Sequence, residues 1–589
     1  MMNDILNFAF VSGAVLAAAL IRARLKAGAD RTSFRRLFPE QVLPWSAAAL
    51  FGMTLLRLSA GLKDGIIISV VPDAVEYCWG ALRLAEGERF GISLNGVWYP
   101  SRYSPLMSAV LWPFVKLAGG TVLGAGICAA LATCLALFFL WYALEKQNFR
   151  CAALLALAGA LLFPGVLHCG GMAMTEPVYM ALLAAMLACF AAQVTDDSAS
   201  VSWGRITVYA LAAGLCGALR STGYVMLPPF LLLLWARMPR KQFSRLLLAG
   251  AVLILPSCLT LLFSCGFNWS VFGSPFRSGY HFHCPVPYEF PELLFKLAYI
   301  PANFRLVWQT ERRALAMLAG ALLFSLAYGV FLFRNRGKKG NAGLWIWGWV
   351  MWHFFCCLGL YLPHFYFAMR FFVPAAVLLI WLAARGAEEM IPAGLPRRTS
   401  FRLGVGAAAL LLGFCGAENQ PLDYDGCEIA SLRYCARVLP GDALLVHDAD
   451  PGRAEIFFRR HTGRRQIPAR RDWGYAAHTG LARSLDRKPD FPCVMGSPEL
   501  AAFIKAAPGS VVFFPRVWEK DWKAISAEAG RKGGLFVTTK ALMRLTPEQF
   551  RQLKQEVGFR RVGSAPKGDG VFRILPRHAS GPGLACVRR

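Results

Sequence analysis

Acids and arginines spaced as in a reactive site occur at a few places in the 589-residue chain. The first is Val71-Pro72-Asp73-Ala74-Val75-Glu76-Tyr77. Pro72 marks entry from a loop into a helix, so Asp73 stands where a cap carboxylate accepts bonds from the first backbone N–H groups. The same carboxylate can instead act as general base toward an acceptor hydroxyl or amine, or ligate a divalent cation. Glu76 follows three residues later and on a helix shares a face with Asp73. Another acid, Glu176 in Met174-Thr175-Glu176-Pro177, opens an apolar run. It either starts a helix at the membrane interface or, paired with Asp73, serves to hold a metal or to divide acid and base roles.

Three arginines, Arg102, Arg220 and Arg370, lie at ends of apolar segments where cytoplasmic positive charge is not expected, and Arg277 is a weaker fourth. A guanidinium there either snorkels to lipid headgroups or grips phosphate oxygens through planar, charge-assisted bonds. His281 and His283 follow Tyr280 and can ligate a metal together with an acid, although paired histidines in a Tyr/Phe-rich loop also suit an interface. Trp98, Tyr99, Tyr103, Trp269, Tyr288 and Tyr366 fit an interfacial belt or sugar stacking.

These residues need elements to hold them, and composition says what kind. The chain is 56% hydrophobic and 17% charged, with 63 basic against 35 acidic side chains. Soluble domains carry about a quarter charged residues and rarely grow beyond ~300 residues, so this apolar length requires a bilayer. Spans are expected near 5–21, 43–62, 120–144, 151–167, 177–193, 206–219, 224–236, 246–265, 314–333, 342–362, 371–384 and 403–416. With these twelve, the clusters at Arg22–Arg36, Lys146/Arg150, Arg237–Arg245, Arg334–Lys339 and Arg397–Arg402 fall on one side, which the positive-inside rule makes cytoplasmic. The apolar stretch 105–118 would break that alternation as a span, so a re-entrant or interfacial helix is expected after Pro105. The first apolar run lacks a small-residue cleavage site and reads as a retained helix.

The expected organisation is an additional N-terminal span and basic loop over 1–42, a membrane domain over 43–416 with outward loops 63–119 and 266–313, and an extracytoplasmic domain over 417–589. That tail carries 29 basic and 18 acidic residues, against 34 and 17 in the preceding 416. Ala443-Leu444-Leu445-Val446-His447 and Ser510-Val511-Val512-Phe513-Phe514 read as buried strands, 547–557 as a helix and 570–575 as another strand, which together imply a small α/β domain. Most of the seventeen cysteines lie in apolar runs as small hydrophobes. Cys427, Cys435, Cys493 and Cys586 in the tail are either disulfide partners or free thiols. No pair of C-x-x-C knuckles calls for zinc, and no basic block carries the aromatic interleaving of a nucleic-acid groove.

Read in order, the motifs resemble the GT-C membrane glycosyltransferases, nearest the protein-mannosyltransferase and aminoarabinose-transferase (ArnT-like) group. The resemblance rests on Pro72-Asp73 followed by an acid and Tyr77, a helix ending in Gly87, and Tyr99-Pro100 leading to Pro105-Leu106. It continues through Met174-Thr175-Glu176-Pro177, Leu219-Arg220-Ser221-Thr222-Gly223, Phe272-Gly273-Ser274-Pro275-Phe276-Arg277, and Arg370-Phe371-Phe372-Val373-Pro374. Leu439-Pro440-Gly441-Asp442 resembles the start of the group's extracytoplasmic domain.

The resemblance implies transfer of a sugar from a polyprenyl-phosphate-linked donor to a lipid, glycan or protein acceptor at the outer face of a bacterial inner membrane. It places the catalytic base at Asp73, and residue chemistry adds Glu76 and Glu176 as further catalytic candidates, Arg102, Arg220 and Arg370 as donor phosphate contacts, and Tyr103 and Tyr280 as substrate-loop residues. Some members use a divalent metal, for which His281 and His283 are the candidates. The group often has adjacent Asp and Glu, whereas here Ala74 follows Asp73 and the next acid is Glu76. Two other classes fit the composition. A transporter of lipid-linked intermediates should carry acids deep within its spans and often duplicated halves, and a non-catalytic scaffold would use the basic tail to bind a cell-envelope partner.

Overall fold

In a computed structural model of the chain, the described residues are 14–26 (apart from 16 and 24), 31–62, 64–68, 73–94, 97–101, 103–196, 202–238, 242–276, 299–336, 341–362, 369–392, 394–395 and 398–419. In the tail they are 444–447, 456–457, 465–468, 511–514, 535–538, 557–564 and 570–576. The helices are α1 (Arg31–Ala60), α2 (Asp73–Ala85), α3 (Leu106–Leu117), α4 (Val122–Glu145), α5 (Arg150–Leu162), α6 (Val166–Gly170), α7 (Thr175–Thr195), α8 (Trp203–Leu219), α9 (Leu227–Arg237), α10 (Phe243–Phe272), α11 (Tyr299–Thr310), α12 (Arg312–Arg334), α13 (Ala342–Tyr361), α14 (Val373–Met390) and α15 (Thr399–Asn419). A hairpin of β1 (Ile92–Leu94) and β2 (Val97–Tyr99) lies between α2 and α3. Single 3-10 turns, Ser221–Met226 and Met369–Phe372, lead into α9 and α14.

Among the described residues eight helices are long and apolar enough to cross a membrane, so the chain is a polytopic helical membrane protein. Their exposed faces fit that solvent. Only 17% of the most apolar stretch of α10 and 28% of that of α12 is buried by protein, and the remainder presents Leu259, Leu262, Phe263 and Leu323 outward. The segment expected as one span over 151–167 is instead divided. Helix α5 stops at Leu162, Gly165 takes φ +95°, and the single turn α6 follows, because Pro164 supplies no N–H to continue the ladder. Residues 224–236, expected as one helix, begin inside a 3-10 turn and become α-helical at Leu227, directly before Pro228-Pro229. The helix expected after Pro105 is α3, twelve residues long.

The chain divides into two compact units. One comprises residues 1–63, 123–277 and 286–422, and the other 64–122, 278–285 and 423–589. The core of the first runs through α4, α5, α7, α8, α13 and α14, with Tyr179, Tyr209, Phe163, Phe190, Trp349 and Trp381 fully buried. Small residues set its close contacts. The backbone of α15 approaches α5 so tightly that a Cβ at Gly416 would lie 2.5 Å from the Leu161 carbonyl oxygen. The C-terminal carbonyls of α7 are closed by arginines. Arg237 donates to Gln193 and Asp196 (2.6 and 3.0 Å) and also to Val194, while Arg205 donates to Ala192 and pairs with Asp196.

In the second unit, the tail strands β3 (Leu444–His447), β4 (Arg465–Pro468), β5 (Val511–Phe514), β6 (Leu535–Thr538), β7 (Val557–Ser564) and β8 (Gly570–Pro576) form one sheet in the order β4-β3-β5-β6-β8-β7. β4, β3, β5 and β6 are parallel, and β8 runs antiparallel to both β6 and β7. The three strands expected from sequence are β3, β5 and β8. Val557, expected to close a helix, opens β7 instead, a strand whose register on β8 shifts between Arg561 and Gly563. The rest of 547–557 lies outside the described residues, as do Cys427, Cys435, Cys493 and Cys586.

Candidate functional site

The acids and arginines expected to do chemistry occur in both units. In the second, α2 carries Asp73 as its first residue, one position inside the cap role expected from Pro72. Nearly all of α2 from Ala74 to Leu82 is buried, because it packs on α3 through Gly80. A Cβ there would collide with Phe90 and Ser108. Ser108 seals the crossing by donating to the Tyr77 carbonyl at 3.0 Å. The helix ends in a Schellman turn, with Gly87 at φ +74°, Glu88 N–H bonded to Arg83 O at 2.8 Å and Gly87 N–H to Leu84 O at 3.2 Å. Arg83 reinforces the turn through Arg89 O and Glu88, and Arg89 lies 3.8 Å over the Trp98 ring.

This packing brings Ser101 and Tyr103 to the two acids. The Tyr103 hydroxyl donates to Asp73 Oδ1, and its ring leans on Tyr77 with centroids 4.8 Å apart. Ser101 donates to Glu76 Oε2 at 2.9 Å and accepts from the Tyr103 backbone N–H at 3.2 Å. The acids share a helix face as the spacing implied, yet their surroundings differ. Glu76 is fully buried, whereas Asp73 is partly exposed.

In the first unit the extended backbone at Met174 delivers Thr175 and Glu176 to the start of α7. Glu176 is 1% exposed, but as the second residue of its helix it sits at the end of the span and not in its middle. Arg220, the extended residue that ends α8, places Nη2 2.6 Å from Glu176 Oε1 and donates from Nε to Thr175 Oγ1 at 2.9 Å. Arg370, in the 3-10 turn before α14, approaches the same carboxylate oxygen at 3.8 Å. One glutamate therefore meets two permanently charged guanidiniums. Aromatic rings frame it. Arg220 lies 5.3 Å from the Phe371 ring and 5.9 Å from those of Tyr179 and Tyr361, and Arg370 lies 5.0 Å from Phe371.

Arg102, Arg277, Tyr280, His281, His283, Tyr288 and Tyr366 lie outside the described residues. Among the described residues no three His, Cys, Asp or Glu side chains come together as metal ligands. Glu176, between two guanidiniums, offers a donor set that repels a cation.

The sequence reading missed Thr175, Tyr179, Tyr361 and Phe371 as partners of the cluster. Tyr179 had a local signal, since it stands three residues after Glu176 on a helix. Tyr361 and Phe371 are ordinary aromatics of apolar segments, and only the packing of α13 and α14 brings them to Arg220.

The chain has the fold of solved ArnT structures, the group that its motifs resemble. Among the solved structures it resembles are two of ArnT from Cupriavidus metallidurans. In the apo state the likeness covers 90% of this chain and 97% of that one at 12% identity, with a TM-score of 0.53. For ArnT bound to undecaprenyl phosphate the values are 92%, 99%, 13% and 0.54. No protein-family model and no curated protein matches the sequence.

Proposed function

We propose that the protein is an integral-membrane glycosyltransferase that moves a sugar from a polyprenyl-phosphate-linked donor to an acceptor at the extracytoplasmic face. The observation that carries this reading is the pair of arginines around one buried glutamate at the ends of spans. Guanidiniums suit a planar, charge-assisted grip on a lipid phosphate, and a cation there stabilises the charge that develops on the departing phosphate. The ArnT fold and the undecaprenyl phosphate bound to one solved ArnT support the same donor class.

Arg220 and Arg370 hold the donor phosphate, with Glu176 fixing both guanidiniums. Asp73 takes the proton of the acceptor nucleophile as that nucleophile displaces the lipid phosphate at the anomeric carbon. A single displacement inverts the configuration there. Tyr103 orients the Asp73 carboxylate through its hydroxyl, and buried Glu76 holds the 101–103 segment in place through Ser101.

Twelve spans are reached when the shorter helices α5, α8, α9 and the helical residues within 14–26 are added to the eight long ones. The basic loops then put 63–119, 266–313 and 417–589 outside the inner membrane, and the strands of 417–589 belong to an extracytoplasmic α/β domain.

The test is sugar transfer by purified protein from a panel of polyprenyl-phosphate sugars, with Arg220→Ala and Asp73→Asn beside the wild type. Turnover of at least one donor that both substitutions suppress is expected. No turnover of any donor, together with polyprenyl phosphate binding that ignores Arg220→Ala, would remove the reading.

A further inference from the structure

Below the Glu176 cluster a chain of buried polar groups runs into the membrane domain, and the proposed reaction does not use it. Tyr179 and His353 are both buried, and the Tyr179 hydroxyl lies 3.1 Å from His353 Nε2. Thr222, two residues after Arg220, hydrogen-bonds through its hydroxyl to the Tyr361 hydroxyl at 3.2 Å. Cys357, one turn after His353 on α13, places its sulfur 3.5 Å from His353 Nε2. A hydroxyl and an imidazole within a span are costly unless each finds a partner, so the pair has one favourable arrangement.

That arrangement has a consequence for Arg220. Glu176 and Tyr179 lie three residues apart on α7, so one helix face supplies both the counter-ion and an aromatic wall for the guanidinium. Helix α13 supplies the second wall, Tyr361. The Tyr179–His353 contact ties α7 to α13 directly beneath, while Thr222 ties Tyr361 to the turn that leaves Arg220. Each ring that frames the arginine with a hydroxyl is therefore fixed by that hydroxyl.

We propose that His353 and Tyr179 are positioning residues that hold Arg220 in its phosphate-gripping orientation; this rests on the donor-site reading above. Neither touches substrate. Their loss acts on how tightly a phosphate is bound rather than on the displacement itself. A binding group displaced by a fraction of an ångström loses roughly one hydrogen bond's worth of affinity, about three- to tenfold.

The experiment uses the full chain in nanodiscs and measures binding of a polyprenyl monophosphate, with KM and kcat for any donor that is turned over. Tyr179→Phe, which keeps the ring and removes the hydroxyl, is expected to weaken binding and raise KM about three- to tenfold with kcat within about twofold. His353→Leu should match it, and His353→Gln, which retains a hydrogen-bonding side chain, should restore binding to within about twofold of wild type. Should His353→Leu fail to fold, Tyr179→Phe decides alone. Wild-type binding by Tyr179→Phe in a preparation where Arg220→Ala has lost it overturns the positioning role and leaves the donor site standing. Binding that Arg220→Ala does not change removes the donor site itself. A fall in kcat at unchanged KM and binding would also overturn the proposal, since it would place these residues at the chemical step.

Discussion

Asp73 and Glu176 are both helix-opening acids, and their surroundings set them apart. Asp73 meets a neutral partner, the Tyr103 hydroxyl, and keeps part of its surface exposed. Glu176 is buried between Arg220 and Arg370. A carboxylate bound between two guanidiniums is occupied as their shared counter-ion. A partly exposed carboxylate remains within reach of an incoming nucleophile. The same residue class at the same kind of helix position thus serves anchoring in one unit and suits proton transfer in the other.

Substitutions can break that contrast. The largest effect on stability is expected from Glu176→Ala, which strips the shared counter-ion from two partly buried arginines. Removing one partner of a buried ion pair costs about 3–5 kcal/mol, read as a fall in thermal stability and in monodisperse yield from detergent. Asp73→Asn should leave stability within about 1 kcal/mol while transfer falls about 10²–10⁴-fold, the usual contribution of a general base. A comparable loss of stability in both variants would erase the distinction between anchor and base.

Gly80→Ala sharpens it from the scaffold side. The added methyl must displace Phe90 and Ser108, at about 1–3 kcal/mol, and the shift of α2 on α3 should lower transfer by moving Asp73. Thermal unfolding and transfer rate measured on one preparation separate the two consequences. Tyr103→Phe is expected to be milder, with stability within about 1.5 kcal/mol and transfer down by about tenfold or less, because the carboxylate stays and only its orienting hydrogen bond is lost. The smallest effect belongs to Glu88→Ala, which removes an ion pair with Arg83 whose acid is half exposed. A change under about 1 kcal/mol is expected, since Arg83 keeps its bond to Arg89 O.

Much of this was legible in the sequence. Runs of apolar residues located the long helices, because ~20 such residues meet the thickness of a bilayer wherever they occur. Asp73, Glu176, Arg220 and Arg370 stood out because charge at the end of an apolar run is costly enough to need a reason. What could not be read was who meets whom. That Arg220 and Arg370, 150 positions apart, converge on one glutamate depends on the packing of α7, α8 and α14, and no local spacing encodes it. Glu76 was singled out by its distance from Asp73, but its burial against Ser101 follows from the approach of α3 at Gly80. The break at Pro164-Gly165 was available to local rules, and the hydrophobic run around it outweighed them.

Helix α10 has 30 residues, and after Arg245 it carries no charged side chain through Phe272. At 1.5 Å per residue that uncharged stretch is about 40 Å long, against ~30 Å of hydrocarbon in an ordinary bilayer. Most of its surface is bare of protein, so the lipid itself must absorb the excess by thickening, or the helix by leaning or bending near Pro256. Membrane thickness is thereby coupled to the tilt of an element packed against α8, the helix that ends at Arg220.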